Sequence, residues 1–91
     1  MKPGRKFIEE GAAACSDEEI LAILIGSGGS NFTALDSARE LLDHYGSLPD
    51  LMDKSLSDIA KIKGIKSIRA IRIGAAFELA RRIVLYLERE T

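Results

Sequence analysis

Residues 59–72 read IAKIKGIKSIRAIR, and this stretch decides the fold. The pattern is typical of one helix that ends before Gly64, a turn of two or three residues, and a second helix that begins at Ser67. Isoleucine recurs at every third position, so the pattern predicts one continuous buried side. The residues concerned are Ile59, Ile62, Ile65, Ile68 and Ile71.

The same stretch, which we call the hairpin, is basic. Lysine or arginine alternates with its isoleucines, and no Asp or Glu occurs between positions 59 and 77. The start of a helix offers unpaired N–H groups and the positive end of the helix dipole, both of which favour anions. We therefore expect the hairpin to bind an anion.

Length and composition describe a small soluble domain. The chain has 91 residues, of which 46% are hydrophobic and 30% charged, enough for a single modest core. No apolar run approaches the roughly 20 residues of a membrane span, and the basic N-terminus does not lead into an apolar signal core. A lone cysteine, Cys15, forms no internal disulfide and supports no metal cluster. We expect a cytoplasmic protein that does not bind membranes.

The net charge of −1 hides an asymmetry between the two halves of the chain. Residues 1–53 contain four Lys or Arg and ten Asp or Glu, a balance of −6, whereas residues 54–91 contain nine and four, a balance of +5. One basic segment in a nearly neutral chain favours a localised anionic partner. The alternative is that the two halves attract each other.

Every periodic segment of the chain is helical. We predict an all-α fold, a compact bundle of five to six helices in a single domain spanning residues 1–91. The expected helices cover approximately residues 5–10, 16–25, 33–45, 48–52, 56–62 and 67–88.

The glycine-rich loop at residues 26–31 fits no phosphate-binding motif. It follows a predicted helix and contains no lysine, whereas a P-loop follows a strand and ends in Lys followed by Ser or Thr. The loop is therefore interpreted as a helix end and connector. Residues 22–28 (AILIGSG) nevertheless align with residues 60–66 (AKIKGIK), which indicates a weak internal duplication of the hairpin.

Five consecutive apolar residues, 83–87, lie near the end of the last predicted helix. On a helix such a run points in every direction, so one small core cannot bury all of it. We expect part of it to meet another chain or a further domain; the alternative is that the helix end bends and packs on the first helix. The predicted interaction surface comprises Ile83, Leu85, Tyr86 and Leu87.

Several spaced motifs resemble one known family. They are RKFI with Gly11 (residues 5–11), SDEEILA (16–22), ARELL (38–42), IxxIKGIxxxxA (59–70) and ELARR (78–82). Together they are similar to the N-terminal domain of the RadC family, long labelled as DNA-repair proteins. The resemblance implies one clear and one degenerate helix-hairpin-helix unit, and a longer architecture with a C-terminal JAB/MPN-type domain.

The zinc motif of that C-terminal domain, His-x-His followed by Asp, has no match here. The sole histidine is His44. We therefore expect no metal, no cofactor and no enzymatic activity from these residues. The chain also departs from the family at two points: Lys66 replaces the second glycine of the hairpin, and the loop at residues 27–31 lacks the Arg and Lys often found there.

The resemblance and the basic hairpin together predict weak, salt-sensitive, sequence-independent binding to DNA phosphates. Cations at a helix N-terminus are unfavourable, so their presence argues for an external anion unless Asp36, Glu40 or Asp43 neutralises them across the fold. The predicted nucleic-acid-binding residues are Lys63, Gly64, Ile65, Lys66, Ser67, Arg69 and Arg72. The alternative function is a protein-interaction module, with a homodimer or a JAB/MPN-type domain as the partner.

Overall fold

The structure, a computed structural model, describes residues 2–26 and 33–90. All regular elements within these ranges are helical, which confirms the predicted fold class for them. A 3-10 turn at Ala12–Ala14 follows the first helix. The helices are α1 (Pro3–Glu10), α2 (Asp17–Ile25), α3 (Ala34–Tyr45), α4 (Leu48–Leu51), α5 (Leu56–Ala60) and α6 (Ser67–Glu90).

Three helix ends differ from the sequence prediction by two residues. Helix α1 begins at Pro3, two residues before the predicted start. Helix α5 stops at Ala60, because the amides of Lys61 and Ile62 bond carbonyls only three residues back, at 3.2 Å in each case. Such bonds tighten the last turn of a helix and lead the chain out of it. Helix α6 extends to Glu90, two residues beyond the predicted end.

The core lies where α2, α3, α5 and α6 meet. Helix α2 is central, since it packs against α3 on one side and α6 on another. The buried apolar residues are Leu21, Ala22, Ile25, Ala38, Leu41, Leu51, Ile59, Ile62, Ile65, Ala70 and Ile73.

The predicted row of five buried isoleucines is correct for three of them. Ile59, Ile62 and Ile65 are buried, but Ile68 and Ile71 expose 70% and 54% of their surface, so the prediction is wrong for these two. With 3.6 residues per turn, a three-residue repeat drifts by about 60° per step around a regular helix and leaves the core. In α6 the buried positions are Ala70 and Ile73.

Carboxylate capping boxes open four successive helices, α2 to α5. In α2, α3 and α5 the Ser or Thr hydroxyl accepts a hydrogen bond from the amide of the acidic residue three positions later, whose carboxylate accepts one from the amide of the Ser or Thr. In α4 the amide and the hydroxyl of Ser47 both donate to the Asp50 carboxylate. The pairs are Ser16 with Glu19, Thr33 with Asp36, Ser47 with Asp50, and Ser55 with Asp58.

These hydrogen bonds favour the ionised carboxylates. The bonds from the capping residue lower the pKa of Glu19, Asp36, Asp50 and Asp58 below their ordinary values. A further bond from Lys6 Nζ, 3.0 Å from Glu19 Oε1, acts in the same direction and ties α1 to α2.

Acid should therefore destabilise the fold in a defined range. A carboxylate whose folded-state pKa is lowered stabilises the protein above the ordinary pKa of about 4, and this contribution is lost as pH falls through the folded-state value. We expect the melting temperature, followed by circular dichroism, to change little from about pH 7 to 5 and to fall steeply below about pH 4. Asp58→Asn should reduce the steepness of that fall.

Asp43→Asn is the matched control, because the Asp43 carboxylate makes no hydrogen bond or ion pair within the described residues. An equal flattening of the acid limb in both variants would contradict the assignment to the capping boxes.

Candidate nucleic-acid interface

The turn between α5 and α6 is held in place by a buried side chain and by a hydrogen bond from α3. Gly64 adopts φ +86°, a left-handed conformation that strongly favours glycine, and the Ile65 side chain is buried beneath it. The Ser37 hydroxyl, completely buried on α3, donates a 2.8 Å hydrogen bond to the Lys63 carbonyl. Ser37 therefore fixes the turn on α3. Its only signal in the sequence is a polar residue beside Ala38 on the inner face of the predicted helix.

Arg69 connects the turn to the end of α2. Its Nε donates to the Ile25 carbonyl at 3.1 Å, and its Nη1 donates to the Gly64 carbonyl at 3.2 Å. Two of the five guanidinium N–H groups are thus used inside the protein. The predicted contact of Arg69 with nucleic acid stays a prediction.

Arg72 lies at the same end of α2. Its Nη1 is 3.5 Å from the point that a Cβ on Gly26 would occupy, so the guanidinium lies over the glycine that ends the helix. Two arginines therefore approach the negative end of the α2 dipole, a favourable position for cations. The charge of Arg69 is balanced partly by the two backbone carbonyls that it bonds. Asp36, one of the expected partners, instead completes the capping box of α3.

The remaining predicted side chains face solvent. Lys63, Lys66 and Ser67 are exposed, as is Arg72. Within the described part of the chain, Lys66 and Arg72 form no ion pair. Two cations are therefore presented to solvent without an acidic partner, on either side of the first turn of α6.

Helix α6 begins differently from helices α2 to α5. The Lys66 carbonyl accepts the first helical bond, from the Ala70 amide at 2.9 Å, so the amides of residues 67–69 have no partner within the helix. The first turn of α6 contains no acidic residue, whereas those of α2 to α5 all do. Its positive end is left without a carboxylate.

The turn of the degenerate first hairpin, at residues 27–31, lies outside the described residues. Gly26, which precedes it, ends α2 as expected: φ is +78° and its N–H bonds the Ala22 carbonyl at 2.9 Å. Both helix-hairpin-helix units, the degenerate one here and the clear one at residues 59–72, therefore stay predictions.

The C-terminal half of α6 projects from the body of the protein. Every residue from position 79 to 90 is exposed, so the helix end does not fold back onto α1. The four residues of the predicted interaction surface expose between 38% and 66% of their surface: Ile83, Leu85, Tyr86 and Leu87. A large apolar area is thus unpartnered in the described chain.

Two other features, a metal-binding group and a membrane-spanning helix, are absent from the described residues. Among residues 2–26 and 33–90, no group of three or more His, Cys, Asp or Glu is arranged to hold a metal ion. No helix in these ranges has both the length and the apolar character needed to cross a membrane.

Comparison with known families identifies the chain's relatives. The family described as UPF0758 N-terminal matches residues 1–71, which include α1 to α5 and the whole hairpin except its last residue. This chain belongs to the UPF0758 family. The match confirms the family resemblance for the N-terminal region, and it stops before the projecting end of α6.

UPF0758 proteins from several bacteria are similar to this chain. Those of Staphylococcus epidermidis and Geotalea uraniireducens are each 43% identical to it, over 90% and 89% of its length. The Chlorobium chlorochromatii relative is 39% identical over 90% of the chain. In each case the aligned part is only 36% of the relative, so the chain spans little more than a third of the length of these proteins. No solved structure gives a significant match.

Two substitutions in the hairpin should differ in their effect on the free energy of unfolding, because Arg69 bonds the protein backbone whereas Lys66 is exposed. Arg69→Ala removes two charge-assisted bonds to carbonyls and should lower the free energy of unfolding by about 1.5–3 kcal/mol. Lys66→Ala, at an exposed position without an ion pair in the described chain, should change it by no more than about 0.5 kcal/mol. Urea unfolding followed by circular dichroism measures both. Equal losses, or a stable Arg69→Ala variant, would refute this division of roles.

Proposed function

We propose that this domain binds the phosphate backbone of DNA through the hairpin turn, residues 63–67, without reading the base sequence. One observation carries the proposal: α6 alone among the five helices from α2 onward begins without an acidic residue, and it begins beside exposed cations. A phosphate at that position would accept hydrogen bonds from the free amides of the first turn.

The charges around the turn support an external anion. Cations near a helix N-terminus cost about 0.3–1 kcal/mol each at an exposed site, so Lys66 opposes the dipole of its own helix. A bound phosphate would offset this electrostatic cost and would also accept hydrogen bonds from the unpaired amides of residues 67–69. Lys66 stands where the family pattern has glycine, and its ammonium group would contribute a point charge in addition to the backbone contacts.

The anchoring of the turn also supports binding. Ser37 and Arg69 hold the carbonyls of Lys63 and Gly64 in place before any ligand arrives. A preorganised site loses less conformational entropy on binding than a mobile loop does. A small number of phosphate contacts is then enough for measurable affinity to DNA.

The expected interaction is modest and independent of sequence. Phosphate contacts position a protein on nucleic acid but carry no base information. The hairpin contains no aromatic residue, so it offers no surface for base stacking. With two to four phosphate contacts we expect a log–log salt slope of about −2 to −3.

Fluorescence anisotropy of labelled duplexes across a salt series tests the proposal. Lys66→Glu should weaken binding at low salt by about tenfold, equally for duplexes of different sequence, and should reduce the magnitude of the salt slope by about 1. The fold of the Lys66→Glu variant should remain intact, because the Lys66 side chain is exposed and the substitution removes a contact with phosphate.

Arg89→Glu is the matched control. It changes the net charge by the same amount near the far end of α6, about 33 Å from the start of that helix. Equal weakening by both substitutions would indicate diffuse attraction to the basic half of the chain. Unchanged binding in Lys66→Glu would rule out the hairpin as the site.

The second candidate function is protein interaction through the projecting end of α6. The observation in its favour is the exposure of the four predicted interaction residues, with no covering element in the described chain. In the longer relatives, further chain is available to meet this surface, as is a second copy of the domain. A role in DNA repair rests on the RadC resemblance alone, and we assign no chemical reaction to these residues.

A further inference from the structure

Helix α6 is apolar on a second side, away from the core. We call this side the outer stripe; its residues recur at spacings of one, three and four and lie within a band about 120° wide around the helix axis. Its centre is about 100° or more around the axis from the buried positions Ala70 and Ile73. The outer stripe comprises Arg72, Ala75, Ala76, Leu79, Ile83, Tyr86, Leu87 and Glu90.

The outer stripe lacks the polar character of an ordinary solvent-facing side. All its members except Ala76 are exposed, and its four large side chains each expose at least 60% of their surface. Amphipathic helices of soluble proteins usually place charged residues opposite the core. A contiguous apolar band of this kind marks an interaction surface.

The stripe is complementary to itself in one arrangement. If two copies of α6 lie antiparallel with a twofold axis at position 81, each stripe residue faces another stripe residue of the second copy. Leu79 faces Ile83, and the small Ala75 and Ala76 face the large Leu87 and Tyr86. Arg72 faces Glu90. Twofold symmetry produces every one of these contacts twice.

Charge and size select this arrangement over a parallel one. A parallel pair in register places Arg72 against Arg72 and Glu90 against Glu90, which are repulsive contacts. The antiparallel pair has opposite charges at both ends, an aliphatic centre, and small residues opposite large ones, as close helix packing requires. Arg81 and Arg82 are already bonded to Glu78, at 2.7 and 2.8 Å, which neutralises much of the cationic charge near the axis.

We propose that this chain forms a twofold homodimer through the outer stripe, with the α6 helices antiparallel over residues 72–90, about 27 Å. The proposal specifies the partner for the second candidate function and rests on it, but it does not depend on DNA binding. Most of the body of each protomer lies on the other side of α6, where Ala70 and Ile73 are buried. At the start of the stripe, the Arg72 guanidinium also lies beside Gly26 at the end of α2.

Sedimentation velocity over protein concentrations up to about 1 mM tests the association. We expect the mass to rise from 9.9 kDa towards twice that value. Ile83→Glu should raise the dimer dissociation constant by about 30-fold or more, because it places a charge in the aliphatic centre. Ile8→Glu on α1 is the matched control, an isoleucine that is 84% exposed outside the stripe, and should leave the constant unchanged.

Cysteine cross-linking tests the register. In a Cys15→Ser background, a mixture of Leu79→Cys and Ile83→Cys proteins should form disulfide-linked pairs readily, because these positions face each other. Each variant alone should cross-link far more slowly, since its two cysteines are offset by about one helical turn, beyond the roughly 7 Å Cα separation that a disulfide spans. Faster cross-linking of either variant alone would overturn the register.

Charge exchange provides an independent test. Arg72→Glu and Glu90→Arg should each weaken the dimer, and the double variant should restore it while leaving DNA binding reduced. A chain that stays monomeric at every concentration overturns the inference. The stripe would then be a surface for the additional residues that the longer relatives contain. That outcome leaves the DNA-binding proposal untouched, because Lys66→Glu tests it separately.

Discussion

Three hydrogen bonds from side chains to carbonyls hold the turn between α5 and α6, and the arrangement of the helices around the hairpin depends on them. Ser37 bonds Lys63, and Arg69 bonds both Gly64 and Ile25. These bonds join α3, the turn and the end of α2 at one place. A buried carbonyl left without its donor costs about 1–3 kcal/mol, so the turn has little freedom to adopt another shape.

The electrostatics of the helix ends follow two different rules. Helices α2 to α5 begin with carboxylates, which satisfy amides and suit the positive end of the dipole. Helix α6 begins with cations instead. Two of them, Arg69 and Arg72, lie near the C-terminus of α2, which is the negative end of that helix dipole. That contact reduces the cost of placing positive charge at the hairpin. The first turn of α6 keeps its unpaired amides beside Lys66, which is the arrangement an anion requires.

Local sequence signals predicted most of the fold. The helix starts predicted at residues 16 and 56 lie within one position of the capping residues Ser16 and Ser55, because hydrogen bonds between positions three apart are encoded within four residues. The buried isoleucines up to Ile65 located the hairpin. The three-residue repeat then continued into α6, where helical geometry moved Ile68 and Ile71 to the surface.

Long-range contacts explain what the sequence did not reveal about the site. Arg69 bonds a carbonyl 44 positions earlier in the chain, and Ser37 bonds one 26 positions later. Backbone carbonyls carry no signature in a sequence, so a cation that binds them resembles one that faces solvent. The exposed end of α6 was predicted, because five consecutive apolar residues on a helix exceed what one side can bury.

Amide chemical shifts provide the most direct test of the claim that the hairpin turn binds DNA phosphates. The nitrogen-15-labelled protein would be titrated with a short duplex at low salt while proton–nitrogen correlation spectra are recorded. We predict that the largest shift changes fall on the amides of Gly64, Lys66, Ser67 and Ile68, and that added salt reverses them. Changes concentrated elsewhere, or none at all at saturating duplex, would contradict it.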